Sequence, residues 1–181
     1  MIVGLFPELS TTGGIPRSGC LTALALASFA EQNGERCHFV SLSDPLGAGS
    51  LKTGGREIRF TGCAGSKMRF VSTVCQLAIP QPSIVVALHP DQAPLLGATK
   101  ILAPGVRSIV VVHGVEVWTP LPAAQRWSLQ SADRVLAPSE YTLSRATKEQ
   151  RLPASKGRKL AWSLGPELDP RLDPSARVWI I

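Results

Sequence analysis

Arg107-Ser108-Ile109-Val110-Val111-Val112-His113-Gly114 is the stretch that decides the fold. An unbroken run of β-branched apolar residues, without polar alternation, fits a strand buried on both faces, as in a parallel sheet. It stops abruptly at a histidine and a glycine. The same grammar recurs on either side. Ser83-Ile84-Val85-Val86-Ala87-Leu88 runs into His89-Pro90-Asp91, and Ile2–Phe6 runs into a loop marked by Gly13, Gly14 and Pro16. Residues 37–42 read as the second strand, 43–55 as a polar connection and 57–61 as a short third strand. Residues 134–137 read as a sixth strand and 159–163 as a last one. Longer segments with helical spacing lie between them: 17–32, 67–79, 91–102, 122–130 and 140 to about 150, the last with Ser139 as N-cap. Strands alternating with helices predict the α/β class, with a doubly wound, mostly parallel, Rossmann-like sheet of six to seven strands.

The chain has 181 residues, which suits one domain with its own core. A hydrophobic fraction of 44% against 18% charged residues is globular and excludes an extended disordered chain. Cys20, Cys37, Cys63 and Cys75 form no C-x-x-C pair, so neither a zinc knuckle nor a disulfide scaffold is expected. Scattered thiols and an N-terminus with Glu8 in place of a signal peptide's apolar core predict a cytoplasmic protein. The longest apolar stretch, 21–30, falls well short of the roughly 20 residues that span a bilayer.

A net charge of +6 is concentrated in two places. One holds Lys52, Arg56, Arg59, Lys67 and Arg69; the other holds Arg145, Lys148, Arg151, Lys156, Arg158 and Lys159. Solvated faces account for both. A polyanionic ligand or peripheral contact with the anionic inner face of a membrane is the alternative. Nucleic acid is not expected as a partner, since aromatic residues are only 6% and no reading motif is present.

In a doubly wound sheet, ligands sit beyond the carboxyl ends of the strands. That rule selects Gly13-Gly14, Ser43-Asp44, His89–Asp91, His113–Glu116 and 138–140 for attention. A glycine pair between a strand and a helix lets backbone amides approach a phosphate, and a plain flexible turn has the same appearance. Neither G-x-G-x-x-G nor G-x-x-x-x-G-K-[ST] can be aligned here, which argues against a dinucleotide or P-loop site. His113 with Glu116 fits two roles equally: binding sugar hydroxyls or a reacting proton, and capping a strand end. His89 with Asp91 reads first as local capping. No G-x-S-x-G elbow and no metal-ligand cluster is visible.

Three stretches together carry a resemblance. They are Gly13-Gly14-Ile15-Pro16-Arg17, Ser83 through Asp91, and Val110-Val111-Val112-His113-Gly114-Val115-Glu116-Val117-Trp118. Ser131-Ala132-Asp133-Arg134-Val135-Leu136-Ala137-Pro138-Ser139-Glu140-Tyr141-Thr142 follows the third of them. As an ordered set they resemble the N-terminal, acceptor-side domain of GT-B glycosyltransferases, nearest the retaining family 4 group. The resemblance covers residues 1–165 and implies that 166–181 is an interdomain linker or tail, with the second, donor-binding domain absent.

The resemblance also implies roles. Gly13, Gly14 and Arg17 would face the donor diphosphate in the cleft, and His113, as the catalytic residue, would lie beside the transferred sugar. His89, Glu116 and Ser139 would line the cleft toward the acceptor. The substrates would be a nucleotide sugar and a glycan, lipid-linked or small-molecule acceptor, with no resident cofactor and no metal. A half of this kind is expected to be inactive until it meets a donor-binding domain in cis or in trans. The alternative is a non-catalytic acceptor- or partner-binding module that assembles with a separate donor-binding subunit. A nucleotide-sugar epimerase or a Rossmann dehydrogenase half is a third reading, the dehydrogenase disfavoured by the missing G-x-G-x-x-G fingerprint.

Overall fold

The computed structural model describes residues 1–161. The linker expected at 166–181 and the domain boundary at 165 lie outside the described residues. Chain order is β1 (Ile2–Phe6), α1 (Gly14–Gln32), β2 (Cys37–Ser41), β3 (Gly47–Thr53), β4 (Arg56–Gly62) and α2 (Lys67–Ala78). It continues with β5 (Ile84–Ala87), α3 (Ala93–Leu102), β6 (Arg107–Val111), α4 (Ala123–Ser131), β7 (Arg134–Ala137), α5 (Glu140–Glu149) and β8 (Gly157–Lys159). Single 3-10 turns, Pro90–Gln92 and Val115–Val117, follow β5 and β6.

The strands form one sheet of eight, in the order β3-β4-β2-β1-β5-β6-β7-β8. Every pairing is parallel except β3 with β4. The fold class is therefore as expected, with a larger strand count than the six to seven read from the sequence. The addition is β3, which lies inside the segment 43–55 expected to be a connection. Gly54 and Gly55 supply the two positive φ angles, 54° and 72°, of a two-residue hairpin turn that pairs Thr53 with Arg56. The last strand is Gly157–Lys159, slightly before the 159–163 expected.

The sheet separates two apolar layers. Val3, Leu5, Val40, Val85, Val110 and Val135 pack against Phe70 and Val74 of α2, Leu96 of α3, Leu129 of α4 and Ala146 of α5. Ile2, Phe6, Phe39, Val86, Ile109 and Val111 face the other way, toward Ala23, Leu26 and Ala30 of α1. This distribution follows from right-handed crossovers. The β1–β2 connection moves one way along the sheet and puts α1 on one face. The later connections move the opposite way and put α2 to α5 on the other. The reversal falls between β1 and β5, and the carboxyl ends of those two strands are where sheets of this kind take ligands.

Candidate functional site

Three chain segments meet at that reversal. α1 begins at Gly14, with Gly13 as its N-cap and Arg17 N–H bonded to the Gly13 carbonyl at 3.0 Å. Gly13, Gly14 and Arg17 are all exposed, and a Cβ placed on Gly14 meets nothing within 4 Å. One turn further on, Gly19 is tightly packed, because a Cβ there would sit 3.2 Å from Leu88 and 3.3 Å from Leu9. Glycine at that position lets α1 lie close to the ends of β1 and β5.

His113, just past β6, bridges to both neighbours. Its Nε2–H donates to the Leu88 carbonyl at 2.6 Å, and its Nδ1 lies 3.4 Å from the Ser18 hydroxyl of α1. Ser18 Oγ also donates to the Ile15 carbonyl at 3.0 Å. The His89 ring stacks on His113, with centroids 6.3 Å apart and planes 19° apart. Burial holds the pKa of His113 below the ordinary histidine value; the Leu88 carbonyl and nearby Glu116 pull it upward without reversing that. The imidazole is therefore neutral at pH 7.

The other expected site residues are placed differently. Glu116 turns back on its own loop, where its carboxylate accepts from the backbone N–H of His113 and, at 2.9 Å, from that of Gly114. It thus holds the loop that carries His113. Ser139 is the N-cap of α5, accepting from the Thr142 amide at 3.1 Å. His89 caps the 3-10 turn through Nδ1, which accepts from the Asp91 amide at 3.2 Å. The structure joins His113 to His89 and, through Ser18, to the helix that Gly13 and Gly14 begin, while Ser139 lies beyond β7, next to β6 in the sheet.

Ser18 escaped the sequence reading; its signal is its position a turn after Gly14, on the buried side of α1. Asp44, selected from the sequence by its place after β2 but given no role there, is 1% exposed and set between the ends of β1 and β2. Its carboxylate accepts from the amides of Leu9 (2.7 Å) and Ser10 (3.0 Å) and from the hydroxyls of Ser10 and Ser41. Burial pushes its pKa up, but these hydrogen bonds outweigh burial and leave it below the usual carboxylate range. Asp44 is therefore ionised at neutral pH.

Among the described residues no group of His, Cys, Asp and Glu is arranged to hold a metal ion. No described helix is long and apolar enough to cross a membrane. Of the two basic clusters, one reaches the loop beyond β6, where Arg145 donates to the Trp118 carbonyl at 2.5 Å, and the other includes the start of α2. In α2, Phe70 and Val74 enter the core while Lys67, Met68, Arg69 and Val71 face outward.

These features, an eight-stranded, mostly parallel sheet with helices on both faces and a reversal of strand order between β1 and β5, define a doubly wound α/β fold. The chain is similar to the crystal structure of a glycosyltransferase from Rickettsia africae ESF-5, with a TM-score of 0.56 and 14% sequence identity. The match covers 96% of this chain and 46% of that one, so this chain spans about half the length of that protein. No protein-family model matches the sequence, and no curated protein matches it either.

Proposed function

We propose that the chain is the acceptor-side half of a retaining GT-B glycosyltransferase that moves a sugar from a nucleotide-sugar donor to a glycan, lipid-linked or small-molecule acceptor. The observation that carries this reading is the contact of His113 with Ser18 and Leu88, which joins the second turn of α1 to the ends of β5 and β6. The exposed glycine pair at the start of α1 offers amides and the positive end of a 19-residue helix to a departing diphosphate. His113 works as a neutral group. With Nε2–H committed to Leu88, its remaining lone pair is on Nδ1, which orients a hydroxyl without contributing a charge. Glu116 fixes the backbone at His113 and Gly114, so the ring is held by the chain and not by the ligand.

On this reading the nucleotide sugar is a substrate, and neither a metal nor a resident cofactor belongs to this half. The donor-gripping residues come from a second domain, joined in cis or supplied by a partner chain, and the 46% coverage of the glycosyltransferase neighbour favours that division. The protein would be cytoplasmic and would touch anionic membrane through the basic face around α2. A transfer assay on the 181 residues with several nucleotide sugars tests the proposal. No turnover is expected from this chain alone, with activity appearing on addition of a donor-binding partner. Robust transfer by the chain alone would overturn it.

A further inference from the structure

The glycine loop is one corner of a larger unit. The loop after β1, the loop after β2 and the end of β4 are joined by a continuous set of bonds. Leu42 N–H donates to Phe6 O (2.9 Å), Ser43 N–H to Pro7 O (2.9 Å) and Ala64 N–H to Asp44 O (2.8 Å). Gly62 closes the unit from below, because a Cβ there would lie 1.9 Å from the Pro45 carbonyl oxygen and 2.8 Å from that of Asp44. Only glycine lets the β2–β3 loop seat this deeply. At the centre is the Asp44 carboxylate, holding two successive amides and two hydroxyls. The amides belong to Leu9 and Ser10, immediately before Thr11-Thr12-Gly13-Gly14, and the Leu9 side chain packs against Gly19 of α1. The site's outermost loop thus starts from a fixed point and ends in a fixed helix.

We infer that Asp44 is a positioning residue for the Gly13-Gly14 loop: its buried carboxylate pins the start of that loop so that the amides at the α1 N-terminus are held ready for a phosphate. The functional half of this inference rests on the glycosyltransferase reading; the mechanical half does not. A loop with five exposed residues, from Ser10 to Gly14, has many conformations to lose on binding. Fixing its origin removes much of that cost before the ligand arrives. Asp133 provides a matched contrast. It too accepts from a neighbouring strand, at Ser108 N (2.7 Å) and Ser108 Oγ (2.9 Å), but at the amino-terminal edge of the sheet, away from the loop.

The test compares Asp44→Asn, Ser41→Ala and Asp133→Asn in the full chain, by amide hydrogen exchange and by binding of inorganic pyrophosphate and UDP. Asp44→Asn is expected to speed exchange of the Leu9–Gly14 amides and to weaken pyrophosphate binding, each by about tenfold, as loss of a charge-assisted hydrogen bond implies. Ser41→Ala removes one of the Asp44 partners and should give a smaller change in the same amides. It serves if Asp44→Asn does not fold. Asp133→Asn should lower the melting temperature while leaving loop exchange and binding as in the parent. Unchanged loop exchange in both Asp44→Asn and Ser41→Ala, or the same loop response in Asp133→Asn, overturns the inference. If the parent chain binds neither pyrophosphate nor UDP, the phosphate role fails, and the exchange measurements still decide whether Asp44 pins the loop.

Discussion

The Nε2–H of His113 donates to the backbone carbonyl of Leu88 across 2.6 Å, which ties the end of β6 to the end of β5 and fixes the histidine tautomer. A carbonyl can only accept, so Nε2 carries the proton and a neutral ring has its lone pair on Nδ1. That atom faces Ser18 at 3.4 Å. The ring is at once a strut between two strands and a polar neighbour of α1.

The first prediction concerns its titration. Burial holds the folded pKa below the unfolded value of about 6.5. The folded state therefore binds the proton less readily than the unfolded chain. Neutral His113 contributes stability that is full above about pH 6.5 and is lost as pH falls toward the lowered folded pKa. An NMR titration of the ring carbons should give a midpoint below that of a free histidine. A midpoint at or above the ordinary value contradicts the assigned environment.

Glu116 should act through the loop. Glu116→Ala leaves the His113 and Gly114 amides without their acceptor, at a cost of about 1–3 kcal/mol. Urea unfolding should show that loss. Unchanged stability would mean that water replaces the carboxylate without penalty.

Two glycines should behave in opposite ways. Gly62→Ala forces a Cβ onto the Pro45 carbonyl, 1.9 Å away, so destabilisation of at least about 1–3 kcal/mol is expected from the overpacking alone. Gly14→Ala adds a methyl to open space and should change stability by no more than about 0.5 kcal/mol. If Gly14 faces a diphosphate, the same substitution weakens binding of UDP. Thermal melts beside a binding titration separate the two effects.

The basic face gives a salt-dependent prediction. Lys67, Met68, Arg69 and Val71 point outward from α2, where each cation near an anionic bilayer contributes about 1 kcal/mol. Sedimentation with anionic vesicles should occur at low salt and vanish at high salt. Equal pelleting with neutral and anionic vesicles, or none with either, leaves these charges as a solvated surface.

Much of the sheet was legible because its central strands are buried on both faces, and such strands write themselves as apolar runs. Val85–Ala87 and Ile109–Val111 are buried residue after residue. β3 was not legible for the opposite reason. Gly47-Ala48-Gly49-Ser50-Leu51-Lys52-Thr53 is an edge strand alternating between exposed and half-buried, and its glycines look like loop punctuation. Gly49 is there because a Cβ would meet the Phe60 ring at 2.6 Å, a cross-strand fact that local sequence does not carry. At the site, the position of His113 followed from the strand before it. The turn of Glu116 back onto its own backbone and the reach of Asp44 to Ser10, 34 residues away, depend on tertiary closure and leave no local pattern.

The central claim is that the working site lies at the carboxyl edge of the sheet, where α1 begins and His113 stands. An amide chemical-shift titration of the full chain with UDP-glucose and GDP-mannose tests it most directly. The account predicts that at least one of the two moves the resonances of Gly13, Gly14, Ser18 and His113 together. It also predicts that Arg107 and Arg134, at the opposite edge, stay fixed. Shifts confined to the Arg107 and Arg134 edge, or none with either nucleotide sugar up to millimolar concentration, would contradict it.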